Sequence, residues 1–138
     1  MSDFLIRIQD NLTIRFKMYE EAAPVTTKAF SGTMPFSRTF LHARISGEEI
    51  WTDDGPHLDI IQENVSVFAE PGEIAMGPLQ PERNKISNCI GIFYGKGQLQ
   101  DGGNIFGKVF DEDMPLLKAL GEIIWREGEQ VLSFEMID

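Results

Sequence analysis

The stretch from Gly91 to Phe110, GIFYGKGQLQDGGNIFGKVF, sets two apolar runs on either side of a connection punctuated by Gly95, Gly97, Gly102 and Gly103. If the first run is extended, Ile90, Ile92 and Tyr94 share one face and Cys89, Gly91 and Phe93 the other. Both faces are apolar or small, which is the pattern of a buried strand. The second run, Ile105 to Phe110, carries Lys108 as its only charge. Two strands joined by a glycine-rich loop are therefore expected here. Asp111 follows where a helix cap would stand, ahead of Pro115 near a first helical position and the apolar Leu116, Leu117 and Leu120.

The rest of the chain supplies short strands. Residues 4–8, FLIRI, and 12–18, LTIRFKM, flank the turn formers Gln9, Asp10 and Asn11 and read as a hairpin. Leu12, Ile14, Phe16 and Met18 alternate with Thr13, Arg15 and Lys17, so the first set faces a core. A short helix opens at Pro24, carries Val25, Ala29 and Phe30 at helical spacing, and stops before Pro35. From Thr39 to Thr52 a second hairpin with a two-residue loop at Ser46 and Gly47 would pair His42 with Trp51 and Arg44 with Glu49. That register puts Phe40, His42, Arg44, Glu49 and Trp51 on one face, and Leu41, Ala43, Ile45 and Ile50 on the other as core.

Residues 53–64 read as a surface loop, Val65 to Phe68 as a strand, Pro71 and Gly72 as a turn, and Glu73 to Met76 as a strand. A polar loop, 77–85, precedes the central stretch, and VLSFEMI closes the chain after Ile123 to Glu129. No repeat, low-complexity segment or linker divides residues 1–138, which are expected to form one domain. Many short strands with two short α-helices predict a mainly β fold: a closed or nearly closed antiparallel barrel of about eight strands, with the helices covering its ends.

Charge excludes some partners. Twelve basic against 22 acidic side chains leave a net charge of −10, which repels nucleic acid and an anionic membrane surface. Nowhere do 18 apolar residues run uninterrupted, and MSDFLIRIQD carries no cleavage signature, so a cytoplasmic protein with no membrane partner is expected. The single cysteine, Cys89, excludes an internal disulfide and reads as a small buried side chain within its strand. No nucleophile elbow, P-loop or dinucleotide fingerprint is present, and the glycine spacing of GQLQDGGN suits a turn rather than a phosphate. His57 stands among Asp53, Asp54 and Asp59 without a defined ligand geometry, so neither a metal nor a cofactor is expected.

Three segments are similar to cyclophilins, in the same order along the chain. LTIRFKMYEEAAPVTTKAF resembles their opening strand and helix through Ala23, Pro24, Thr26 or Thr27, and Phe30; PGEIAMG, from Pro71 to Gly77, resembles their Pro-Gly strand; IFGKVFDEDMPLLKAL resembles their closing strand and helix. HARISGEEIW, ENVSVFAEPGE, GIFYG and GNIFGKV are similar to recurrent segments of a bacterial and archaeal family of unknown function with a cyclophilin-like fold. The resemblance implies an eight-stranded barrel with no established chemistry attached. It also exposes departures. Where cyclophilins have Phe-His-Arg entering the active-site strand, this chain has Leu41-His42-Ala43; Glu48-Glu49-Ile50-Trp51 stands in place of Phe-Met-x-Gln, and Cys89-Ile90-Gly91 in place of Gln-Phe-Phe. The later tryptophan and histidine correspond to Leu99 and to Gly103 or Asn104. The groups that would hold a prolyl amide are largely missing.

The candidate ligand-binding residues are accordingly His42, Arg44, Trp51, Tyr94 and Asn104. The expected function is binding of a small polar or aromatic molecule at the face carrying His42, Arg44 and Trp51, with Arg44 available to a ligand carboxylate. Two alternatives stand beside it: a divergent peptidyl-prolyl isomerase with a rearranged site, and a module that assembles with copies of itself as a homo-oligomer.

Overall fold

The computed structural model describes residues 3–8 and 12–137. Its elements are β1 (Asp3–Ile8), β2 (Leu12–Met18), α1 (Pro24–Ser31), β3 (Phe36–His42), β4 (Gly47–Thr52), β5 (Val65–Ala69), β6 (Glu73–Pro78), β7 (Ile86–Val109), α2 (Met114–Glu127) and β8 (Gln130–Met136). A single 3-10 turn, Asp111–Asp113, leads into α2. The turn expected over Gln9, Asp10 and Asn11 lies outside the described residues.

Neighbouring strands follow the order β2-β1-β8-β3-β4-β7, and β2 pairs with β7 to close a ring of six antiparallel strands. β5 and β6 pair with β7 outside that path. The fold is the mainly β, closed antiparallel barrel with two helices that the strand pattern predicts. No helix among the described residues is long and apolar enough to cross a membrane.

The alternation in β1 and β2 builds the interior. Phe4 pairs with Phe16 and Ile6 with Ile14, and all four are fully buried. Phe4 stacks on Phe16 with ring centroids 5.1 Å apart and on Phe134 of β8 at 5.9 Å. Into this aromatic layer α1 inserts Phe30, 4.9 Å from the Phe106 ring, while α2 contributes Leu117, Leu120 and Ile124 at helical spacing. Each such side chain contributes about 1.5–3 kcal/mol relative to an exposed one.

A buried polar node fixes α1. Its first turn has no side-chain cap at Ala23; instead Glu63, from the loop before β5, accepts hydrogen bonds from the backbone N–H groups of Val25 and Thr26 and from the Thr26 hydroxyl. Burial alone would raise the Glu63 pKa, but these donors together hold it below the usual value. Asn104, fully buried on β7, donates to Thr26 Oγ1 at 2.8 Å and accepts from the N–H groups of Glu63 and Asn64.

Three local expectations are corrected. First, Gly91 to Phe110 is not two strands and a loop but part of one continuous strand of 24 residues. Its glycine stretch stays in the ladder, with Gly102 at φ +79°, because other backbones pair with it: Gly97 opposes both Gly47 and Ala69, and Gly103 opposes Ser66. The long strand curves round β6, whose Ile74 opposes both Ile92 and Gly107, and whose Ala75 opposes both Gly91 and Ile105.

Second, the β3–β4 register is one residue away from the tight hairpin. Leu41 pairs with Trp51 and His42 with Ile50, while residues 43–46 form the connection. Gly47 adopts φ +102°, where the Lys96 carbonyl oxygen occupies the place of a side chain. The one-residue step exchanges the two faces. Phe40 and Ile50, both fully buried, point inward together with His42, and Trp51 points outward with Leu41.

Third, the residue at the N-cap of α2 is Asp113 rather than Asp111, and its carboxylate does not cap. It receives Arg15 instead, with the backbone N–H at 2.9 Å, Nε at 2.8 Å and Nη2 at 2.9 Å. The helix then continues through Ile123 to Glu127, and Gly128, with φ +96°, ends it.

Candidate outer-face site

The register places the candidate residues on two sides of the barrel wall. On the inner side His42 meets Tyr94: the imidazole Nε2 is 2.6 Å from the phenol oxygen, and Nδ1 is 2.7 Å from the Ala43 carbonyl oxygen. Trp125, on the last turns of α2, packs edge-on to the imidazole with centroids 4.8 Å apart. Gly121 of the same helix lies directly on the Tyr94 ring, where no side chain would fit. Burial, then the charges of Glu122 and Glu48, raise the Tyr94 pKa, so its hydroxyl keeps its proton. Both His42 nitrogens and the Tyr94 hydroxyl are thus hydrogen-bonded, while Trp125 remains 64% exposed.

The outer side is built differently. Across it run Trp51 of β4, Gly91 of β7, Ala75 of β6 and Ile105 in the second half of β7, each opposite the next. The adjoining outer-face positions are Cys89, Gly77 and Gly103. Four residues in this small area, Gly77, Gly91, Gly103 and Ala75, have no side chain beyond Cβ, and the shallow trough they leave is filled by the protein's own Glu49 over Gly91 and Leu99 over Gly103. Trp51, half-buried, forms one wall. Leu99 forms the other, its side chain folded over Gly103. Phe93, fully buried with Ala69, Ala75 and Ile105 and packed by Leu99 and Tyr19, closes one end.

Glu49 gives the trough its chemistry. It lies on the Trp51 side of β4, is only 7% exposed, and extends over Gly91. One carboxylate oxygen accepts a hydrogen bond from the Ser46 hydroxyl. The other, Oε2, sits above Gly91 and has no hydrogen-bond donor among the described residues. Burial raises its pKa, and the Ser46 contact offsets this only in part. Glu49 and Asp53 act in turn on Cys89, whose thiol is pushed up to about 11, first by burial and then by these two charges. A thiol so held is protonated and a poor nucleophile.

The five residues named from the sequence are thus dispersed. His42 and Tyr94 are brought together, inside the wall. Trp51 stands on the opposite face. Arg44 is exposed in the connection before β4 and forms no ion pair with Glu49 among the described residues. Asn104 is committed to the node that anchors α1. Sequence reasoning did not single out Glu49 or Gly91 as a site, or Trp125 at all. The available signal was the paired strands themselves: an acid on one strand diagonal to a glycine on the next is a place where a charged side chain can lie flat and become buried.

Comparison with known proteins agrees with the architecture. The crystal structure of a Cryptosporidium parvum cyclophilin-type peptidyl-prolyl cis-trans isomerase superposes with a TM-score of 0.73 at 18% identity, covering 99% of this chain and 98% of that one. The Mimivirus cyclophilin gives 0.70 at 12% identity, covering 99% and 88%. McbB in complex with tryptophan gives 0.70 at 16% identity, covering 96% of this chain but 44% of McbB, so this chain spans less than half of that protein. At these identities the likeness is one of fold: the barrel is cyclophilin-like. No curated protein matches by sequence. One family model does match, over residues 8–136, and the chain belongs to that family, described as a protein of unknown function (DUF3830).

Proposed function

We propose that this protein binds a small molecule in the outer-face trough between Trp51 and Leu99, and that it is not a prolyl isomerase. The observation that carries this reading is Glu49, a carboxylate only 7% exposed that makes no ion pair among the described residues and lies over Gly91 beside Trp51. Burial of a carboxylate is unfavourable, and here the Ser46 hydroxyl offsets it only in part. A half-buried tryptophan beside one directed polar group has the composition of a binding site. McbB, a neighbour in fold, is seen in complex with tryptophan, an aromatic amino acid, and that supports a ligand of this size. Against isomerisation stands the position of Arg44, which lies on the exposed connection rather than on a strand where it would reach an amide over the trough.

Thermal unfolding against a panel of small metabolites and proline-containing peptides tests the proposal, because a ligand of the native state raises the melting temperature by mass action. A metabolite shift that is lost in Trp51→Leu and kept in His42→Phe supports the trough. A shift kept in Trp51→Leu and lost in His42→Phe moves the site to the inner cluster and contradicts the proposal. Acceleration of proline isomerisation, abolished by Trp51→Leu, would establish the alternative.

One observation favours a second reading. β5 ends the strand order with β7 as its partner, and its Val65, Val67 and Phe68 are 57%, 38% and 66% exposed. Such an edge is a surface for self-association. Light scattering across a wide concentration range tests it: a monomer throughout removes this reading.

A further inference from the structure

Resting on the self-association reading of β5, we infer that two copies of this chain meet over an apolar patch formed by residues 61–68 and the first turn of α1, through side chains rather than by joining strand edges. Val65, Val67 and Phe68 are exposed on β5; Ile61, in the loop before it, and Val25, in the first turn of α1, are each more than half exposed. The fold draws them into one surface. Ile61 bridges Lys85, the Gln62 side-chain amide donates to the Arg83 carbonyl oxygen at 2.7 Å, and Arg83 reaches Asp101, whose neighbour Gly102 lies against the Val65 side chain. The Glu63 carboxylate accepts the Val25 N–H, which seats the tip of α1 against the same segment.

Charge and hydrogen bonding select the occupant. The charged side chains around the patch are held within the chain: Arg83 on Asp101 at 2.7 Å, Lys85 on Asp59 at 2.9 Å, and Glu63 on the backbone and hydroxyl donors of α1, with Glu70 beyond the far end of β5. VSVFA itself carries no charge, although the chain has a net charge of −10. An uncharged apolar centre with charges at its rim is the anatomy of a protein interface, and a strongly charged partner finds little here to pair with. An added peptide strand is disfavoured as well. The Ser66 hydroxyl accepts from the Phe68 N–H at 3.1 Å and donates to the Phe68 carbonyl oxygen at 2.8 Å, and the ladder is irregular between these residues, so the Phe68 backbone is already occupied. A second copy presents the same uncharged face, and about a twofold axis one patch supplies both halves of the contact. The patch is smaller than the about 20–30 residues a side of a standard interface, so the dimer is expected to be weak.

Sedimentation velocity of the full chain from micromolar to millimolar concentration gives the readout, with melting curves showing that each variant is folded. A monomer–dimer equilibrium is expected, weakened at least tenfold by Phe68→Glu and by Ile61→Glu. Leu41→Glu, which places the same charge at an exposed position of β3, a strand that pairs with neither β5 nor β7, should leave it unchanged. Ser66→Ala, which frees the Phe68 backbone, should not tighten it. Association lost in Leu41→Glu and kept in Phe68→Glu moves the contact to another face and overturns this inference while self-association stands. A dimer tightened by Ser66→Ala overturns side-chain packing in favour of strand addition. Monomers at every concentration overturn the patch and the self-association reading together.

Discussion

The Nε2 of His42 lies 2.6 Å from the Tyr94 hydroxyl while its Nδ1 lies 2.7 Å from the carbonyl oxygen of Ala43. A carbonyl only accepts, so these partners assign the ring hydrogen to Nδ1 and leave Nε2 to accept from Tyr94. Both nitrogens are used within the fold. The pair joins β3 to β7 beneath α2, and its role is to hold the wall whose other side carries Trp51.

Tyr94→Phe removes the donor and leaves a partly buried ring nitrogen without its partner. The expected loss is about 1–3 kcal/mol of unfolding free energy, measured by denaturant titration. Ligand affinity at the outer face should not change. Affinity lost in proportion to stability would place the inner cluster in the binding site.

Glu49 should make stability fall as pH rises. Its pKa is raised in the folded protein by burial. The stability linked to its protonated form is complete below the unfolded carboxylate value of about 4.3 and is lost as pH climbs through the higher folded value. Glu49→Gln, which carries no charge, should therefore melt higher than the wild type near about pH 8, with the difference shrinking towards about pH 4. Melting temperatures that run parallel across this range would show that the carboxylate is compensated.

Asp113 has the opposite sign. The Arg15 side chain first, against an opposing effect of burial, and then the Arg15 backbone N–H hold its pKa below the ordinary aspartate value. Its contribution is complete above about 3.9 and is lost as pH falls through the depressed folded value. Because the Arg15 side chain is 42% exposed, the interaction is partly screened. Asp113→Asn should cost about 1–3 kcal/mol near neutral pH and progressively less in acid. A cost independent of pH would mean that packing, not the ion pair, is lost.

Two glycines distinguish scaffold from site. A side chain at Gly121 would enter the Tyr94 ring, which is held by His42 and by the helix itself, so Gly121→Ala should destabilise by about 1–3 kcal/mol. A side chain at Gly91 meets the far end of Glu49, which is free to swing away. Gly91→Ala should therefore change stability by less than about 1 kcal/mol while reducing ligand affinity. Equal melting losses in the two variants would show that the trough floor is ordinary core.

Much of the barrel is legible in the sequence because its information is local. LTIRFKM alternates with period two and buries Ile14, Phe16 and Met18; Pro24 and Pro115 open the helices where proline is tolerated. The β3–β4 register is not local in this way. It depends on the chain leaving β3 after His42 and on Lys96 crowding Gly47, a contact made by a distant strand. The glycine-rich stretch of β7 reads as a loop for the same reason: what keeps it extended is the approach of Gly47, Ala69 and Ser66. Glu49 is the costliest omission. Beside Glu48 it reads as a solvated charge, and only the pairing of Trp51 with Gly91 shows the space into which it folds.

A crystal structure of the protein soaked with a metabolite that raises its melting temperature tests the central claim most directly. The account predicts density against Trp51 and Leu99, beside Glu49. An empty outer face with the metabolite bound instead beneath α2, beside Tyr94 and Trp125, would contradict it.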